Sequence, residues 1–268
     1  MAAAEVGAGA VSRTLDILLA EDNRINQIFA VALLEKSGHR VTVAENGREA
    51  VAAAARRLYD VVLMDIQMPE LDGIEATRQI RALPAPACEM KIIALTANAM
   101  AGAEEYYRAA GMDDFVSKPI RAEILLAKLA RIGGGALNVP AAVPVQDTPV
   151  LSLEKLDSLA AILPFAKLQD LLHLYLLDSE KYLALLLEAR SRAALDEIGR
   201  FAHVLTGTAG NIGAEKLSAI AAALQRACRA GDADAAMKLA GELEEAAILV
   251  DGAMRQWLAE ARARAFAA

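Results

Sequence analysis

The chain has 268 residues, 56% hydrophobic and 24% charged, enough for two ordinary domains and too apolar for an intrinsically disordered protein. Its formal net charge of −7 argues against a general nucleic-acid surface, and no apolar run of about eighteen residues free of charge, glycine or proline indicates a membrane span. The two cysteines, Cys88 and Cys228, stand in unlike surroundings without C-x-x-C spacing, which suits unpaired thiols in a reducing compartment and excludes a zinc site built on cysteine.

Residues 1–13, MAAAEVGAGAVSR, contain Glu5 and no basic start before a long apolar stretch, so they read as a disordered leader and not a secretory signal. A cytoplasmic location is the matching expectation. From 14 to 132, short apolar runs at Leu15–Ala20, Arg40–Ala44, Val61–Met64, Ile92–Leu95 and Phe115–Val116 alternate with helix-like stretches. That alternation predicts a parallel sheet covered by helices. Residues 133–150 combine a glycine cluster, three prolines and a single charge, the composition of a flexible linker. Beyond it, over 151–268, Leu195, Ile198, Ala202, Leu205, Ala209 and Ile212 recur at helical steps and neighbouring segments repeat the period. An antiparallel helix bundle with a C-terminal helical tail buries several such stripes.

The first half carries a reaction site. Glu21 and Asp22 follow the first strand run, Asp65 the third, Thr96 the fourth and Lys118 the fifth, so all five polar groups sit where strands end. Open parallel sheets bind ligands at those ends, near the reversal of strand order. Two carboxylates about 4 Å apart repel by about 4 kcal/mol at an effective dielectric near 20, so three together call for a cation. With oxygen ligands and no histidine or cysteine near, Mg2+ is the expected one. A carboxylate beside it can attack phosphorus, with Lys118 and Thr96 binding the remaining phosphoryl oxygens. The product is an aspartyl phosphate.

The order of ILLAEDN, VVLMDIQMPELDGI, IIALTANA and FVSKPI resembles the response-regulator receiver domain. The resemblance implies a flavodoxin-like (βα)5 fold with Asp65 as phosphoacceptor and Glu21, Asp22, Asp65 and the Gln67 main-chain carbonyl as metal ligands. It also implies that Phe115 is the aromatic residue that reorients when Thr96 moves toward the phosphate. A homodimer formed beside the last strand, on the surface that includes Phe115, is a further implication.

Three histidines occur. His39 reads as a surface turn residue and His173 as part of an apolar helical run. His203 lies one position off the apolar stripe, so its ring is expected to reach solvent from the edge of the helix face, and Gly207 follows one turn later. A glycine within a helix costs about 1 kcal/mol relative to alanine, which suggests close approach by another surface. The stretch AHVLTGTAGNIGAEKL resembles the histidine phosphotransfer (Hpt) domain, an all-α four-helix bundle, through His203, Leu205, Gly207 and Gly213-Ala214. The resemblance implies that His203 is phosphorylated with machinery borrowed from a docked receiver. Where the family has lysine this chain has Thr206, and Arg200, one turn before His203, is the candidate substitute cation.

No glycine-rich nucleotide motif occurs, so the expected partners are a sensor histidine kinase as donor and a downstream response regulator as acceptor, with no nucleic acid and no membrane. The chain is thus read as a phosphorelay intermediate, not an enzyme in its own right. Two alternatives stay open: a docking bundle that has lost phosphotransfer, and a phosphate sink draining through Asp65.

Overall fold

The structure, a computed structural model, describes residues 13–97, 103–134 and 148–267. The expected leader, apart from Arg13, and residues 135–147 of the expected linker lie outside the described residues. Five parallel strands form one sheet: β1 (Asp16–Ala20), β2 (Arg40–Ala44), β3 (Val61–Asp65), β4 (Lys91–Thr96) and β5 (Asp114–Ser117), in the order β2-β1-β3-β4-β5. Each contains, to within a residue or two at either end, one of the apolar runs of the sequence.

Alternation along the strands divides the core of the sheet domain between two faces. Leu15, Ile17, Leu19, Leu63 and Leu95 pack with helices α1 (Arg24–Lys36) and α5 (Ala122–Ile132). Leu18, Val62, Met64 and Ile92 pack with α2 (Gly47–Arg56), α3 (Gly73–Arg81) and α4 (Ala103–Ala109). β3 is buried along its whole length, as the central strand of a doubly covered sheet must be, and its continuous apolar run reflects that. The strand order reverses between β1 and β3, which opens a crevice at their carboxyl ends.

The second half is entirely helical among the described residues: α6 (Leu153–Ile162), α7 (Phe165–Ser191), α8 (Leu195–Ile212), α9 (Glu215–Ala230) and α10 (Ala233–Ala267). Helices α7 to α10 pack in sequence and α10 closes back on α7, giving a four-helix bundle with α6 laid across α7 and α8. The apolar stripe of α8 fills its centre: Ile198, Ala202, Leu205, Ala209 and Ile212 are all buried. Gly213, at φ 94°, ends that helix in the left-handed region that glycine adopts without steric cost. Pro149 and Ser152 are fastened to this corner, Lys216 N–H donating to Pro149 O (3.1 Å) and Ser152 N–H to Gly213 O (2.7 Å). The last residues of the expected linker therefore belong to the bundle surface. No helix among the described residues is long and apolar enough to cross a membrane.

The two halves are packed together. The apolar cluster on the α1 face of the sheet runs on into the bundle, taking in Leu156, Leu172, Leu205 and Trp257. Helix α1 lies against α6, α7 and α8, and Lys36 Nζ at its end donates to Ala161 O (2.7 Å). His39, expected at the surface, is instead buried, its Nδ1 accepting from Leu15 N–H (3.3 Å). The ring thus satisfies a donor at the entry to β1, a contact between segments 24 residues apart that local pattern cannot reveal.

Candidate functional site

The crevice gathers the residues that follow the strands. Oxygens of Glu21, Asp22 and Asp65 lie within 4.8 Å of one another. Glu21 and Asp65 are only 1% and 2% exposed, and between them sits the ammonium of Lys118, 7% exposed, at 2.7 Å from Glu21 Oε2 and 2.6 Å from Asp65 Oδ2. Asn26 Nδ2 donates to Glu21 Oε1 (2.8 Å), Gln27 Nε2 to the Glu21 carbonyl (2.7 Å) and Gln67 N–H to Asp65 Oδ1 (3.2 Å). Asn23 caps α1 through its side chain, which sets the first turn so that Asn26 and Gln27 face back on Glu21.

Burial raises the carboxyl pKa values of both Glu21 and Asp65, and the attraction of Lys118 offsets only part of that rise. Asp22, at the mouth, is lifted to about 6, first by desolvation and then by the Glu21 charge. Lys118 keeps its proton: burial opposes its charge, but Asp65 and Glu21 outweigh it and raise its pKa. One ammonium against three converging carboxylates leaves negative charge uncompensated. An all-oxygen donor set of this kind fits a hard divalent cation.

Thr96 ends β4, buried, and its Oγ1 pairs with the Tyr107 hydroxyl of α4 at 2.6 Å. Tyr107 in turn lies against Phe115, ring centroids 6.0 Å apart, and Lys128 Nζ stands 5.6 Å from the centroid of the Phe115 ring. Thr96 and Phe115 are therefore linked through an aromatic residue that sequence reading did not single out. Tyr107 sits within YYRAA, and nothing in that run marks its hydroxyl as reaching a strand end.

His203 does not project into solvent as its place off the stripe suggested. It is half-buried on α8, facing the sheet domain, because the surface it reaches is covered by that domain. Burial, then the charges of Lys118 and Arg229, push its pKa down to about 3, and Gln225 opposes this by hydrogen bonding to the ring. Its Nδ1 is buried without a hydrogen-bond partner among the described residues. Gln225 and Arg229, both on α9, also reach across to Gln67 Oε1 at 3.3 and 3.5 Å, which ties the surroundings of His203 to the loop after Asp65. Neither was identified from sequence; their four-residue spacing puts them on one helix face, but solvated faces look the same.

Gly207 meets Asn26 and Lys118: a Cβ there would stand 3.3 Å from Asn26 Nδ2. A Cβ at Gly210, one turn on, would collide with the Pro119 ring. Thr206 is buried, and its hydroxyl donates back to Ala202 O (2.8 Å), so this side chain is turned into its own helix. Arg200 is exposed, on the rim of a hollow of about 160 Å3 shared with Gln67, Gln225 and Arg229. A larger opening, about 650 Å3, separates the domains beside the crevice and is lined by Lys118, Pro119, Thr206, Gln225 and Arg229 among others.

Residues 17–130 match the response regulator receiver domain and residues 170–263 the Hpt domain. The sensor histidine kinase AruS of Pseudomonas aeruginosa is 34% identical over 215 residues, 79% of this chain and 21% of that protein. The receiver domain of sensor histidine kinase PA1611 from the same organism, crystallised with a magnesium ion coordinated in its active-site cleft, is 44% identical, with a TM-score of 0.43 over 46% of this chain and 100% of that one. A chain from the co-crystal of the Saccharomyces cerevisiae histidine phosphotransfer protein Ypd1 with the receiver domain of Ssk1 is 31% identical, with a TM-score of 0.43 over 47% of this chain and 92% of its own. The chain spans about a fifth or less of the length of the curated relatives it matches. With a receiver domain followed by an Hpt domain, the chain belongs to the two-component phosphorelay proteins.

Proposed function

We propose that Asp65 and His203 exchange a phosphoryl group within this chain, as an intermediate step between a sensor histidine kinase and a downstream response-regulator receiver. The observation that carries the reading is the position of His203 on α8, one turn before Gly207, which abuts Asn26 and Lys118, with Lys118 itself bonded to Asp65 at 2.6 Å.

Asp65 is the nucleophile toward phosphohistidine, its Oδ forming the new bond to phosphorus as the bond to nitrogen breaks. Lys118 is already placed on the reacting carboxylate, and its ammonium is suited to the charge that gathers on the phosphoryl oxygens. The Thr96 hydroxyl, released from Tyr107, supplies a donor to one of them. Glu21, Asp22, Asp65 and the Gln67 carbonyl would hold Mg2+, which lends electrophilic assistance at phosphorus when bound. In the onward direction His203 attacks the aspartyl phosphate. Its depressed pKa keeps the imidazole neutral at physiological pH, so a ring nitrogen retains the lone pair that the step requires. Arg229 takes the part that Thr206 cannot, offering a cation beside the imidazole, in place of the exposed Arg200. The phosphoryl donor lies outside these 268 residues, and Phe115 follows Thr96 through Tyr107 as the switch residue.

The test is radiolabel transfer from a histidine kinase to wild type, Asp65→Asn and His203→Gln, each with and without Mg2+. Label should reach both residues in wild type, neither in Asp65→Asn if the kinase donates to the receiver, and Asp65 alone in His203→Gln, with magnesium required throughout. Label that reaches Asp65 and never His203 would favour a docking bundle. Rapid loss from Asp65 without onward transfer would favour a phosphate sink. Undiminished transfer in the double variant would overturn the assignment.

A further inference from the structure

Away from the reacting groups, two side-chain amides join the domains. Asn211 of α8 donates from Nδ2 to Asn26 Oδ1 (3.0 Å) and accepts at Oδ1 from the Ile120 N–H (3.0 Å), just past Lys118 and Pro119. Asn26 spends its own Nδ2 on Glu21 Oε1 at 2.8 Å. Both amides are deeply buried, at 3% and 2% exposure, and among the described residues their side chains find partners in the other domain or in the crevice. A continuous line of hydrogen bonds thus runs from a crevice carboxylate through Asn26 and Asn211 to the backbone of the β5–α5 connection.

We infer that Asn26 and Asn211 are the specificity contact of the docking surface, selecting for the Hpt bundle a receiver with an amide at the Asn26 position, and that the receiver on the same chain is the partner they fit. A receiver with an apolar residue there would leave Asn211 Nδ2 buried without an acceptor, a cost of roughly ten- to a hundredfold in the docking equilibrium. The glycines of α8 make the contact possible. Gly207 lets Asn26 come close and Gly210 admits Pro119, so that Asn211, the next residue, meets the Ile120 amide. Because Asn26 also holds Glu21, the residue that the bundle reads is registered to the crevice, and correct pairing brings His203 over it. The purpose of this contact rests on the proposed exchange between Asp65 and His203; its existence does not.

The experiment uses the full chain and follows two readouts: amide hydrogen exchange at Ile120 and along α1, and label transfer between Asp65 and His203. Asn211→Ala should speed exchange at Ile120 by about tenfold or more and slow transfer by a similar factor, while amides inside the sheet and α7–α10 keep their protection. Asn26→Leu should act in the same direction from the other domain. The double variant Asn26→Leu/Asn211→Ala should be less impaired than the product of the single effects, because the two side chains are coupled. Unchanged Ile120 protection in Asn211→Ala, or fully multiplicative effects in the cycle, would overturn the inference. If Asn211→Ala loses protection throughout the bundle, Asn26→Leu, which leaves the bundle sequence intact, decides by whether protection at Ile120, which Asn26 reaches through Asn211, falls. Protection that depends on Asn211 in a chain that never passes label would sink the phosphorelay reading and leave the docking contact standing; transfer with Ile120 indifferent to both variants would do the reverse.

Discussion

The receiver crevice and the α8 surface of the bundle treat charge in opposite ways. The crevice concentrates it, with three carboxylates and one ammonium converging at strand ends. The bundle keeps charge away from His203: its imidazole is held neutral, Thr206 is turned inward, and the cations whose charge the ring feels are Lys118 of the other domain and Arg229 at the margin. In the proposed exchange, one surface does the chemistry and the other is acted on. The bundle therefore depends on fit, through its glycines and amides, where the receiver depends on electrostatics.

The sharpest way to break that comparison is to remove the crevice cation. Lys118→Met should lower labelling of both Asp65 and His203 by about 10²- to 10³-fold, the usual loss when a preorganised charge is removed from a reaction site. A fall confined to His203 would mean that the bundle contributes chemistry of its own.

Acid titration addresses the neutral imidazole. Burial, then the charges of Lys118 and Arg229, hold the His203 pKa below its ordinary value of 6.5, at about 3, so a state in which undocking exposes the ring to water takes up a proton first as pH falls. The His203 contribution to docking is therefore complete above pH 6.5 and weakens below it, by up to about tenfold per pH unit. Glu21 and Asp22, whose pKa values are raised, titrate in the same range, but they do so equally in His203→Gln. The difference between wild type and that variant, followed by hydrogen exchange at the domain interface, isolates the histidine; identical pH profiles would remove it.

Two smaller effects sharpen the contrast. Arg229→Gln should slow transfer between Asp65 and His203 by about tenfold, as expected for loss of one charge-assisted contact, whereas exposed Arg200→Gln should change it less than about twofold. The reverse ranking, in single-turnover rates, would restore Arg200 as the supporting cation. On the receiver side, Tyr107→Phe removes the hydroxyl paired with Thr96 and should raise the rate of Asp65 labelling by about fivefold, the equivalent of one hydrogen bond that no longer has to be broken. An unchanged rate would leave Tyr107 as packing for Phe115.

The part of this that the sequence makes legible has a common physical basis. Strand ends are marked by the end of an apolar run, so Glu21, Asp22, Asp65, Thr96 and Lys118 could be gathered into one crevice without coordinates. The α8 stripe likewise placed His203 on an edge. Groups that depend on which helix faces which are hidden. Gln225, Arg229 and Asn211 look like any polar residue on an amphipathic helix until the receiver is packed on them, and Asn26 looks like part of a cap. The solvent expected at His203 is replaced by the receiver for the same reason. His39 escaped because its partner is a backbone N–H in another segment. The substitution at Thr206 was visible, whereas Arg229, proposed to compensate for it, is on a different helix, beyond the reach of local spacing.

The apolar cluster that crosses from the α1 face of the sheet into the bundle has a consequence for stability. Domains joined only by a tether melt independently, whereas domains that share a core protect each other's amides and lose structure together. This chain should therefore unfold in one calorimetric transition, and cavities cut at Leu205 or Leu159 should lower the melting temperature of the sheet as well as the bundle. Each opening of the interface, including any needed to admit a kinase, then draws on the folding cooperativity of the whole molecule.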